Sequence, residues 1–203
     1  MLSSIHPLGE RARNMRWGLT AGAYVVGSIA GGLVFGGLLG AAGWVVHGVA
    51  GTGPAVAGLL LAAAGLAGAG LDLGLGGLAI PTIHRQVNED WLHRYRGWVY
   101  GSGFGFQLGL GVVTIVTTAT IYVTFAAAFL VGVAGSLAGG ATIGAVFGAA
   151  RSAPILLVAR VSRPEHLRST HQRLHAAAPV WRVLAIGVPC LVALSLGGMA
   201  VVT

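Results

Sequence analysis

Between Arg16 and Asp72, between Arg96 and Arg151, and again after Arg182, the chain carries no Asp, Glu, Lys or Arg. Uncharged runs this long and this apolar do not fit a surface that faces water. A helix that crosses a bilayer needs about 20 apolar residues. Each of the first two runs therefore holds two such helices and the third holds one. The spans expected are residues 17–46, 54–83, 97–128, 135–159 and 181–202. Composition agrees: 55% of the 203 residues are hydrophobic and 8% are charged, against roughly 25% charged in soluble domains. The predicted fold class is an all-α integral membrane protein of about five Gly-rich transmembrane helices, readable as two repeated helical hairpins plus a fifth helix. Residues 1–16 form a cytoplasmic segment, and 17–203 form a single transmembrane domain with cytoplasmic loops near 84–96 and 160–181.

Charge sets the orientation. Every basic residue other than histidine is Arg, and all but Arg151 lie in segments 1–16, 84–96 and 160–182. The turns near 48–54 and 132–140 are rich in glycine and carry no charge. Five spans put all the basic segments on one side, which the positive-inside rule makes the cytoplasmic face of a bacterial inner membrane. Three short spans in either long run would carry an Arg-rich loop across. Spans 17–46 and 97–128 are long, so they must tilt, break at glycine or extend past the lipid. Segment 1–16 resembles the basic start of a signal peptide, but the apolar stretch after it far exceeds roughly 7–15 residues, so an uncleaved anchor is expected. A net charge of +7 in a soluble chain would point to nucleic acid; here the clustering points to anionic headgroups instead. Arg16-Trp17 recurs as Arg96-Gly97-Trp98 and as Trp181-Arg182, a pattern of interface anchors that also suggests a parallel repeat.

Glycine spacing is the next strongest pattern. Gly32, Gly36 and Gly40 recur every four residues, as do Gly101, Gly105 and Gly109, then Gly140, Gly144 and Gly148, with Gly70 and Gly74 between. Four-residue spacing lines up one face of a helix and lets backbones approach closely, so these are expected to be packing seams. They suit a homo-oligomer or a membrane partner subunit as well as contacts within the chain. Gly101-Ser-Gly-Phe-Gly has the look of a dinucleotide loop but lies inside an apolar span with no preceding strand, which excludes that use.

Asp72 is the one acidic residue inside an expected span. A carboxylate there must be protonated, paired or hydrated, and Arg151 is its natural partner. Tyr100, Gln107, Thr114 and Thr118 fall within about 40° on a helical wheel, so they form a polar stripe. Asp72, Gln107 and Arg151, with that stripe, make up the candidate polar or translocation site. His171 and His175 are one helical turn apart, but no set of ligands completes a metal site. Cys190 is the only cysteine, so an internal disulfide or thiolate pair is excluded. No cofactor motif and no nucleophile–base pair is present, so an enzyme is not expected.

Gly103-Phe-Gly-Phe-Gln-Leu-Gly-Leu-Gly111 and Gly144-Ala-Val-Phe-Gly-Ala-Ala-Arg-Ser-Ala-Pro-Ile-Leu-Leu157 resemble the membrane domain of CcdA/DsbD-type proteins, in the LysE-like transporter grouping. The resemblance covers about a quarter of the chain and implies a transporter-like bundle. Its redox cysteines are missing: Thr114 and Thr117 stand where a Cys-Pro element would fall. That family's inverted three-helix repeats also differ from the two helices per unit counted here. The expectation is a transporter-like inner-membrane protein; the alternative is a non-transporting subunit or scaffold that packs partner helices through its glycine faces.

Overall fold

The computed structural model describes residue 5 and residues 7–75, 94–112, 118–157 and 159. Among these, every regular element is a helix: α1 (Pro7–Ala12), α2 (Trp17–Ala50), α3 (Pro54–Asp72), α4 (Gly97–Leu110), α5 (Thr120–Val133), α6 (Leu137–Ser152) and α7 (Pro154–Leu157). Among the described residues three helical stretches are long and apolar enough to cross a membrane: Trp17–Ala50, Pro54–Asp72 and Leu137–Leu157. The expected span 181–202, the loop 160–181 and most of the loop 84–96 lie outside the described residues.

α2 is the axis of the bundle. Its 34 residues rise about 50 Å at about 1.5 Å each, well beyond a hydrocarbon core of about 30 Å. It ends at Gly51, whose φ of +60° is the left-handed cap that favours glycine, with its N–H donating to the His47 carbonyl. Pro54 then opens α3 in its first turn, where the missing N–H costs nothing.

The long span expected over 97–128 is two helices in the structure. α4 stops at Gly111, which has φ +75°, and α5 starts at Thr120. Both halves run alongside α2 in its own direction. Gly101, Gly105 and Gly109 of α4 face Thr20, Tyr24 and Ser28, while Gly132 of α5 faces Gly40 and Trp44. α6 returns antiparallel, with Gly148, Gly144 and Gly140 meeting Ser28, Gly32 and Gly36 in turn.

Glycine makes these approaches possible. A Cβ on Gly32 would run into the Gly144 carbonyl, one on Gly105 into the Tyr24 carbonyl, and one on Gly43 into the Phe129 carbonyl. Backbones this close exchange Cα–H···O contacts and dense dispersion attraction, the main forces between helices where lipid is the solvent. Ser28 marks the triple junction of α2, α4 and α6, and its hydroxyl donates to the Gly148 carbonyl at 2.7 Å.

The distribution of side chains is the reverse of a soluble core. Apart from Thr20 and Tyr24, the buried residues of α2 are Ala, Gly or Ser. Its large apolar residues point outward: Val26, Leu38 and Val49 are 67%, 64% and 85% exposed. Such a surface is stable only against apolar solvent or apolar partners. A compact hydrophobic cluster does exist at the end where α2 and α4 begin, where Ile5, Tyr24, Tyr100, Phe104, Leu108 and Ile155 pack together.

Candidate functional site

The most polar buried spot lies where α1 meets the starts of α2 and α4, and its centre is Glu10. Its side chain is fully buried. One carboxylate oxygen accepts from the Arg13 guanidinium at 2.6 Å and from the Tyr100 hydroxyl in a short hydrogen bond. The other accepts from the Thr20 hydroxyl at 2.7 Å. Three donors from three elements thus satisfy a carboxylate that would otherwise be costly to bury. Gly97 opens α4 where any Cβ would collide with the Thr20 hydroxyl. Tyr100 belongs to the polar stripe expected from sequence, whereas Glu10 and Thr20 lie outside it. The available signal was a lone acid among arginines with Arg13 three residues on, one turn of helix away.

Asp72 stands elsewhere. It closes α3, and its carboxylate accepts the Ala119 backbone N–H at 2.7 Å. Ala119 is the N-cap of α5, so Asp72 sits at the positive end of a helix that starts in mid-span. A carboxylate satisfies one of that terminus's orphan N–H groups and is favoured by the helix dipole. Thr118 lies at the same break and supplies the carbonyl for the Ile121 N–H.

Arg151 is in the last turn of α6, where a cation suits the dipole. Its guanidinium lies over the Phe147 ring, 5.4 Å from the centroid, within cation–π range. Asp72 thus meets the start of α5, and Arg151 meets a ring of its own helix. α3 packs on α5, whereas α6 packs chiefly on α2. Gln107 is half-buried on α4, about 10 Å along the axis from Tyr100 at about 1.5 Å per residue. Thr114, His171, His175 and Cys190 lie outside the described residues. Of the polar stripe, Tyr100 joins Glu10 at one end of the bundle and Thr118 joins Asp72 at the helix break.

Between these points three phenylalanine rings pack together. Phe125 meets Phe35 and Phe147 edge-on, with centroids 4.9 Å and 5.6 Å away. The cavity beside these rings, bounded by Gly32, Gly36, Gly109 and Gly144, holds about 10 Å³. That is about the volume needed for one water, in a site too apolar to retain one. At the far end His47 clamps the turns: its Nδ1 lies 2.7 Å from the Thr52 carbonyl and 3.0 Å from the Val133 carbonyl. Carbonyl oxygens only accept, so Nδ1 carries a proton and donates to both. Among the described residues, no group of three or more His, Cys, Asp or Glu side chains is placed to hold a metal ion.

Apolar faces turned outward, glycine seams turned inward and, among the described residues, charged groups placed at helix ends and a helix break define an all-helical protein of membrane type. The chain is 33% identical to the methylamine utilization protein MauF of Paracoccus versutus over 76% of its own length and 55% of the relative's. The corresponding figures are 32%, 76% and 53% for MauF of Methylophilus methylotrophus. For MauF of Paracoccus denitrificans they are 34%, 75% and 55%. The chain thus spans about half the length of the curated relatives it matches. No family model and no solved structure matches it.

These relatives overturn the resemblance to CcdA/DsbD-type domains and the LysE-like grouping, since they are MauF proteins. The physical reason lies in the motifs that carried it. Gly103–Gly111 and Gly144–Leu157 are strings of Gly, Ala, Phe and Leu, and here Gly105, Gly109, Gly144 and Gly148 are glycine because a backbone lies against them. Any tightly packed membrane helix meets that demand, so such strings do not separate one family from another.

Proposed function

We propose that this chain is a non-transporting subunit of a bacterial inner membrane that serves methylamine utilization. The observation that carries the reading is the similarity to MauF proteins over about three quarters of the chain. The phenylalanine rings packed where α2, α5 and α6 meet support a packing role over a passage. In this reading the chain has five spans, with its N-terminus and Arg-rich loops in the cytoplasm. Its open apolar faces meet lipid and a membrane partner of the methylamine system. Transport, the first expectation from sequence, finds no support in the relatives, whose name speaks of utilization.

Deleting the gene in its own host tests this. Growth on methylamine as the sole nitrogen source is expected to fail while growth on ammonium continues. Initial uptake of radiolabelled methylamine over the first seconds is expected to be unchanged. Normal growth on methylamine would overturn the assignment; lost initial uptake would restore a transport role.

A further inference from the structure

A second polar feature lies beside the Glu10 cluster and is not absorbed by the reading above. The starts of α2 and α4 stand next to each other and point the same way, so the positive ends of two helix dipoles coincide. Their N-cap residues are Arg16 and Arg96, neither of which offers a side-chain acceptor to cap its helix. The first helical bonds are made by Leu19, Thr20, Val99 and Tyr100. The N–H groups of Trp17, Gly18, Gly97 and Trp98 precede them and have no intrahelical acceptor. Between the two starts is a cleft of about 300 Å³ whose walls include Asn14, Arg16, Leu19, Arg96, Gly97 and Trp98. Among the described residues no acidic side chain lines it. Glu10, bonded to Thr20 at the edge of the cleft, is already held by Arg13, Thr20 and Tyr100. Among the described residues neither Arg16 nor Arg96 has an ion-pair partner.

We propose that this cleft is a binding site for a phosphate-bearing anion, supplied by the headgroup of an anionic phospholipid. Two guanidinium forks match phosphate oxygens in shape and charge, and paired helix starts present N–H groups to the same anion. The surroundings favour a lipid as the source. Leu19 is 58% exposed and Trp98 51% exposed at the rim, an apolar residue for an acyl chain and an amphipathic ring suited to headgroup depth. The cleft falls at the small end of ligand sites, about 300–1,000 Å³, the scale of a glycerol phosphate. Thr20 borders both the cleft and the Glu10 cluster, so the same packing that seats α1 shapes the site.

The test uses the full chain in an uncharged detergent, with native mass spectrometry to count retained lipids. Phosphatidylglycerol is expected to be retained over phosphatidylcholine of the same acyl chains. In R16Q/R96Q that preference is expected to fall about thirtyfold, the order set by removing two headgroup contacts. R163Q/R168Q, with the same charge removed elsewhere, should keep it. If the glutamine pair does not fold, R16K/R96K serves instead, with an expected loss of about threefold as point charges replace the forks. Inorganic phosphate is then added: lipid retained in its presence assigns the headgroup, and lipid displaced assigns free phosphate as the occupant of the same site. No preference in the parent chain, an unchanged preference in R16Q/R96Q, or an equal loss in R163Q/R168Q would overturn the site.

Discussion

Glu10 shows how a single residue organises one end of this molecule. Its carboxylate draws Arg13 of the connecting turn, Thr20 of α2 and Tyr100 of α4 to one point, so three segments lose their independence together. Removing one donor should therefore cost more than a surface hydrogen bond. Tyr100→Phe keeps the ring against Phe104 and deletes only the hydroxyl. It is expected to lower stability by about 2 kcal/mol, the scale of a hydrogen bond to a charged group, read as the shift of a reversible unfolding transition in detergent. No change would mean that water replaces the hydroxyl. Asp72 acts at another point, as an acceptor for the Ala119 N–H at the start of α5. Asp72→Ala should cost about 1 kcal/mol as a lost cap. Asp72→Asn, which retains an acceptor oxygen, should cost less, and equal losses in the same measurement would refute a capping role.

At the scale of elements, the sequence and structure meet most closely on glycine and part company on helix length. Regular four-residue spacing is legible in the sequence, but spacing alone cannot say which helix lies opposite. The structure pairs α2 with α4 through Gly27, Gly101 and Gly105, and with α6 through Gly32, Gly36, Gly140 and Gly144. Other glycines, such as Gly18 and Gly22, have nothing within 4 Å of an added Cβ. The two groups should behave oppositely. Gly144→Ala forces backbones apart and is expected to destabilise by about 1–3 kcal/mol. Gly22→Ala is expected to be neutral or to stabilise by about 0.5–1 kcal/mol, since glycine is a poor helix former. Thermal unfolding of the two variants side by side decides the matter, and equal behaviour would remove the seam description. The break at Gly111 was legible only as one of several ways to fit a long span. Choosing it required Asp72, which is distant in sequence, to stand ready to cap the new helix start.

For the whole molecule, topology is the property that follows from charge distribution. Cysteine substitutions at Thr52 and Ser136, made in a Cys190→Ala background, should react with an impermeant maleimide in intact cells. One at Asn14 should react only after the cells are opened. Labelling of Asn14 from outside would reverse the orientation, and labelling of only one of the two turns would rule out five spans. The sequence by itself determined the helical class and the apolar stretches, because hydropathy and charge are summed along the chain and need no partner to be read. It also marked the glycine rows, whose period is local. Only the tertiary structure decided what those features face: that Asp72 caps a broken helix while Arg151 rests on Phe147, and that Glu10 is a buried hub. These are contacts between residues far apart in sequence. Their partners are selected by the packing of whole helices, and that packing is not written in any one stretch of the charge-free runs.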